Sequence, residues 1–398
     1  MLFRTLLPAA LAAAALLGVT APARACPGCG APTGQTLASE VAQADFIIYG
    51  TFGNPQPNPN DPSKGTTDMT IDAVVKSHAL VKDKKVFTIP RLVPPDAKPT
   101  KYMVFFNVVN GDVDPYRGVA VAPESKLPEY VKGALEVRKK DAITRLRYFF
   151  DNLESEDLEI SSDAYNEFAF AEYKEVLELA PKLPADVVLK RLTDKNTRPS
   201  RFGLYGLLLG HCGSAGDAKT LRTILDDPDR KASSGVEGMV MGYILLDKKA
   251  GYEYLMKLVS DPDKEFLVKH AGLKVLRFFW EYRPDVLTKP QILDGMAALM
   301  NQADIADMPI EDLRKWKAWD MTGAVLKYAK VESHSALPII RRAILKFAIA
   351  ASWADPKNAA AAAYVEQARK DDPDRVKLVE DLLKDEAKPA PKSAEPKK

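Results

Sequence analysis

Leu221-Arg222-Thr223-Ile224-Leu225-Asp226-Asp227-Pro228-Asp229 returns 34 residues later as Leu255-Met256-Lys257-Leu258-Val259-Ser260-Asp261-Pro262-Asp263. Each copy reads as the end of a helix stopped at an Asp-Pro corner, because proline cannot continue the i to i−4 ladder. A more apolar helix precedes each, over Phe202 to Gly210 and Gly238 to Leu246. Two helices per period make a hairpin that cannot bury its own apolar face, so it must lean on the next one. Lys269 to Tyr282, Gln291 to Gln302, Glu311 to Lys330, Pro338 to Ala351 and Ala359 to Lys370 continue the plan. The spacing therefore predicts an irregular all-α stack over residues 125–385.

Upstream, the period changes. From Asp45 to about Val121, β-branched and aromatic residues are broken by Pro, Gly and Asn, which reads as strands and turns. Gln35 to Ala44 is expected to form a short helix, followed by the apolar strand Phe46 to Phe52. Asn54 to Lys64 is expected to be a proline-rich loop. Strands follow at Thr67 to Val75, Lys85 to Ile89 and Tyr102 to Val109. Asn110-Gly111 then turns the chain into a return strand at Gly118 to Val121. The expected fold class is α+β and multidomain: a small antiparallel barrel of about five strands in residues 26–124, then the helical stack.

The motif order Cys26-Pro27-Gly28-Cys29, Gln35, Ala44-Asp45-Phe46-Ile47-Ile48-Tyr49-Gly50, Val74-Val75 and Lys101-Tyr102-Met103-Val104-Phe105 resembles the netrin-like module, the OB-type barrel of the tissue inhibitors of metalloproteinases. In that family an N-terminal Cys-x-Cys is tied down by later cysteines, and its free amine and first carbonyl chelate a protease zinc. This chain has Cys-x-x-Cys and no partner cysteine in the barrel. The resemblance nevertheless implies an alternative role as inhibitor or binder of a zinc metalloprotease through Cys26. The irregular repeats resemble HEAT-like or armadillo-like solenoids, and the whole pattern resembles exported proteins of planctomycete-type bacteria.

Met1 to Ala25 reads as a secretory signal, with Arg4 at its charged start, an apolar run from Leu6 to Leu17 and Ala23-Arg24-Ala25 as cleavage site. The expected location is periplasmic or secreted, with a lipid anchor on Cys26 as the lesser alternative. Of 56 basic and 54 acidic residues, the signal removes Arg4 and Arg24. The remaining balance gives no pull toward nucleic acid or anionic lipid. Ala359 to Ala363 is too short to span a bilayer, so no membrane insertion is expected after cleavage. Glu386 to Lys398 lacks aromatic and branched apolar side chains and is expected to be disordered.

Three cysteines allow one bridge. Cys26 and Cys29 are its expected partners, with a metal-ligand pair as the other reading. Cys212 is left as a buried small hydrophobe. His78, His211, His270 and His334 stand apart, with no second histidine three or four residues away. His211-Cys212-Gly213-Ser214-Ala215-Gly216-Asp217 holds a thiol, a hydroxyl and an imidazole but not the spacing of a nucleophile elbow, so it reads as a helix end and turn. Trp316 and Trp319 are candidate partner-binding residues, with packing between repeats as the competing reading. Phe278-Phe279-Trp280 and Tyr148-Phe149-Phe150 must spread their rings around a helix and bridge both neighbours. No catalytic constellation, metal site or cofactor motif emerges. The expected function is a non-catalytic scaffold for a protein partner. An envelope enzyme, with a site between the two regions at Asp163, Glu167 or His211, is the remaining alternative.

Overall fold

The computed structural model describes residues 26–29, 34–94, 96, 98, 100–227 and 235–388. The signal segment, the first Asp-Pro corner at Pro228 and all but the start of the C-terminal tail lie outside them. A short helix α1 (Leu37–Gln43) leads into five strands, β1 (Phe46–Asn58), β2 (Asp61–Lys76), β3 (Val86–Ile89), β4 (Lys101–Val109) and β5 (Asp112–Val121). They form one antiparallel sheet in the order β3-β2-β1-β4-β5. The sheet is open and barrel-like at most: β3 and β5 are its edges, and Arg91, just past β3, reaches Asp114 on β5 only through a 4.0 Å ion pair.

Phe46, Ile47 and Ile48 are all buried because both faces of the sheet are covered, which is why β1 opens as a continuous apolar run rather than an alternating one. Phe46, Ile48, Met69, Phe87, Ile89, Val104 and Phe106 fill a small core on one face. There the Phe46 and Phe106 rings stack at 4.4 Å. Ile47, Val75, Met103, Phe105 and Val121 on the other face join the main helical core.

The β region departs from the sequence expectations in two places. Asn54 to Lys64 is a two-stranded ribbon rather than a loop, since β1 pairs with β2 as far as Asn58 opposite Asp61. Beyond Thr51, β1 has no β4 partner, so its far edge is free and prolines without an N–H are tolerated there. The return strand starts at Asp112, not Gly118. Asn110 and Gly111 both take positive φ (54° and 91°), the pair of left-handed residues a two-residue hairpin needs. Val109 then faces Asp112 directly.

Helices follow: α2 (Leu127–Val137), α3 (Ala142–Asn152), α4 (Leu158–Phe170), α5 (Tyr173–Leu179), α6 (Ala185–Thr193), α7 (Phe202–Cys212), α8 (Asp217–Asp226), α9 (Val236–Leu246), α10 (Lys248–Ser260) and α11 (Phe266–Tyr282). The chain continues through α12 (Lys289–Met300), α13 (Asp307–Lys315), α14 (Thr322–Lys327), α15 (Glu332–Ser335), α16 (Pro338–Ala354), α17 (Ala359–Asp371) and α18 (Pro373–Glu386). Polar contacts between successive units keep the sequence spacing of the repeat. Lys274 to Glu237 spans 37 residues, Arg277 to Asp312 spans 35, Lys269 to Asp304 spans 35 and Asn358 to Thr322 spans 36.

The single helix expected over Glu311 to Lys330 is broken. Lys317 sits in the left-handed region at φ 56°. The Ala318 N–H donates back to Leu313 and the Lys317 N–H to Arg314. This is a Schellman ending with lysine where glycine usually stands.

Candidate functional site

The sheet and the helices meet at α1. Thr36 caps it, its hydroxyl accepting from the Ser39 N–H at 3.0 Å. At the other end the Lys76 ammonium donates to the carbonyls of Val41 and Ala42, a cation at a helix C-terminus. Asp163 of α4 reaches the same helix. Its buried carboxylate accepts from the Leu37 N–H and, at 2.7 Å, from the Tyr130 hydroxyl of α2. Burial pushes Asp163 up to about 6, against the pull of those two donors.

One turn further along α4, Glu167 is also raised by burial, with a hydrogen bond from the Thr36 hydroxyl and the charge of Arg145 opposing. Arg145 lies 3.9 Å from Glu167 and 2.6 Å from Glu175. Around these groups a cavity of about 670 Å³ opens between α1 and helices α2 to α5. Phe149, Ala134 and Ala38 give it an apolar wall, and Arg138, Lys140 and Arg145 line it with positive charge.

Asp163 and Glu167 are thus brought together. His211 is not with them. Its Nε2 lies 3.0 Å from the Tyr173 hydroxyl, and burial, then the charge of Arg283, pulls it down to about 4. The turn after it is as expected: the Gly213 N–H closes α7 on the Leu209 carbonyl, and Asp217 accepts from the Ser214 N–H and hydroxyl. Cys212 is half-buried, its thiol pushed up to about 11 by burial, the wrong direction for a nucleophile.

The other histidines pack or cap. His78 accepts from the Leu80 N–H, His270 stacks on Phe266, and buried His334 lies 2.9 Å from the Met300 carbonyl. Among the described residues, no group of three or more His, Cys, Asp or Glu could hold a metal.

Cys26 and Cys29 form a disulfide with their Cα atoms 5.4 Å apart. Both are buried. The Cys26 N–H donates to the Ala169 carbonyl at the end of α4, and its carbonyl accepts from the Cys29 N–H. The Gly28 carbonyl lies against Gly203 of α7. The bridge therefore docks on the helices rather than on the sheet, with both Cys26 main-chain groups engaged.

Trp316 and Trp319 are half-buried. Trp316 lies flat on Trp280 at 4.3 Å, and Trp319 meets Phe347 edge-on at 5.4 Å. Phe278 in turn reaches Tyr173 at 5.0 Å. The consecutive rings of α11 thus bridge both neighbours, as their spacing demands.

Arg138, Lys140, Arg145 and Glu175 were not legible as site residues. They come from the turn after α2, from α3 and from α5, and a constellation gathered from separate elements has no local spacing. The only sequence trace is the basic run Arg138-Lys139-Lys140 at the end of α2.

Sheet and site define an α+β protein: an open five-stranded antiparallel sheet sharing one core with a stack of helical pairs. No protein-family model, curated protein or solved structure matches the chain. No helix among the described residues is long and apolar enough to cross a membrane.

Proposed function

We propose that this chain is an exported, non-catalytic interaction scaffold, in which the helical stack presents an extended surface to a protein partner and the β region anchors its first helices. The signal-like first 25 residues and the resemblances to netrin-like modules and HEAT-like repeats are part of this reading; the function drawn from those folds is an analogy. The observation that carries it is a pair of exposed apolar side chains at equivalent places. Leu267 in the first turn of α11 is 72% exposed, and Ile339 in the first turn of α16 is 60% exposed. Both helices are tied to α13 between them, α11 by Arg277 to Asp312 and α16 by Lys346 to Glu311. Large exposed apolar groups at matching places on neighbouring helices are what a partner would cover.

Affinity capture from envelope extract, with the wild type and with the double variant Leu267→Asp/Ile339→Asp, tests this. A defined protein held by the wild type and lost from the variant is the expected result. The same capture profile for both would overturn it. Both side chains already face water, so the variant should fold.

A further inference from the structure

We infer that the cavity between α1 and helices α2 to α5 binds a small organic anion, a carboxylate or phosphate ester carrying an apolar body. Its volume of about 670 Å³ lies within the range of small-molecule sites, roughly 300–1,000 Å³. The sign of the ligand follows from the charges. Arg138, Lys140 and Arg145 line the cavity against Glu167 and Glu175, three cations against two acids.

The acids are engaged. Glu175 takes the Arg145 guanidinium at 2.6 Å and accepts from the Glu172 N–H at 3.2 Å. Glu167 is bonded by Thr36, flanked by Arg145 and also feels the charge of Arg138. Arg138 and Lys140 are exposed and make no ion pair with a described residue. An incoming cation would meet Arg138 and Lys140, neither held in an ion pair with a described residue, before it reached a carboxylate that already has partners. An anion meets those two cations first, with the polyvalent donor geometry that phosphate and carboxylate favour.

The apolar body follows from the wall. Phe149, 1% exposed, and Phe170, 48% exposed, both line the cavity. Two rings and the small side chains of Ala38 and Ala134 in one lining leave room for a flat or branched apolar group. No part of this argument uses the exposed surface of α11 or α16, so the scaffold reading stands or falls separately.

Calorimetric titration of the full chain with phenyl phosphate and with phenylacetate separates the two headgroups; inorganic phosphate reports the headgroup alone, and benzylamine is the probe of opposite charge. At least one aromatic anion is expected to bind more tightly than inorganic phosphate, and benzylamine not at all. Arg138→Ala/Lys140→Ala should weaken the anion at least about tenfold. Lys139→Ala, whose side chain does not line the cavity, should leave it unchanged. Phe170→Ala should weaken phenyl phosphate but not inorganic phosphate. All four side chains are exposed, so folding is not at stake. Benzylamine binding as well as the anions, equal affinity in the double variant, or no heat from either aromatic anion at about 10 mM would each overturn the proposal.

Discussion

Helices α7 and α9 meet through their backbones, whereas α11, α13, α16 and α18 meet through side chains. In the first pair, Gly203, Gly206 and Gly210 face Gly235, Gly238 and Gly242, at the three- and four-residue spacing of one helix face. A Cβ on Gly242 would stand 2.0 Å from the Gly206 carbonyl oxygen, and one on Gly210 would stand 2.6 Å from the Gly242 Cα. In the second group, Arg277 holds Asp312 at 2.6 Å, Arg314 and Lys346 share Glu311 and Glu386, and Trp280 stacks on Trp316. The two joints resist different insults. Backbone contact tolerates no added atom and carries no net charge, while a ladder of ion pairs tolerates changes of shape but depends on each partner being present.

The largest effect should come from breaking the first joint. Gly242→Val puts a branched side chain where a single carbon already overlaps a carbonyl, and overpacking of that kind should cost more than ~3 kcal/mol, since the two helices cannot separate without opening the core. Arg277→Ala at the second joint should cost about 1–2 kcal/mol. Asp312, nearly buried, loses its partner, but the guanidinium it loses is itself 37% exposed and already partly screened. Urea unfolding midpoints of both variants check the order. Equal losses would mean that the glycine faces are not in contact.

Acid sharpens the contrast, because the facing glycines themselves have no titratable group and α7 carries His211 at its end. His211 lies near 4 in the folded chain against an ordinary 6.5. Between those values the unfolded chain takes up a proton that the folded chain refuses, so this contribution falls as pH falls from 6.5 to 4. Asp163 has the opposite sign. Its folded value near 6 stands above 3.8, so the folded chain protonates first and this contribution rises as pH falls from 6 to 4. The two oppose each other across pH 4–6. His211→Gln removes the first, and on going from pH 7 to 4.5 it should gain on the order of 2 kcal/mol relative to the wild type. Denaturant titrations at the two pH values measure the gain. Parallel pH dependence in both proteins would place His211 in water.

What was legible followed from periodicity. The 34-residue return of the Leu221 segment, the apolar strand at Phe46 and the Asn110-Gly111 turn each carry their structure in neighbouring residues. The proline-rich ribbon did not, because prolines mark a loop unless a free strand edge excuses their missing N–H. Neither did the glycine joint: α7 and α9 are apolar all round, which says buried, but which glycines oppose each other depends on how two distant helices cross. The cavity was half legible. Glu167, which lines it, was named with Asp163 and His211 as a candidate for a site between the two regions, while the cations that give the cavity its sign sit on other elements.

The smallest predicted effect tests the break after Lys315, which helical periodicity does not signal. The helix expected to run from Glu311 to Lys330 ends at Lys315 because Lys317 turns left-handed, letting Ala318 bond back to Leu313 and Trp316 lie against Trp280. A lysine there bears a steric cost of about 1 kcal/mol that glycine avoids, partly offset by the greater freedom glycine has in the unfolded chain. Lys317→Gly should therefore stabilise the protein by about 0.5 kcal/mol, read as a small rise in the urea midpoint with the Trp280 and Trp316 fluorescence unchanged. Were the segment a continuous helix, the same substitution would destabilise by about 1 kcal/mol, so the sign alone distinguishes the break from the helix that the periodicity predicted.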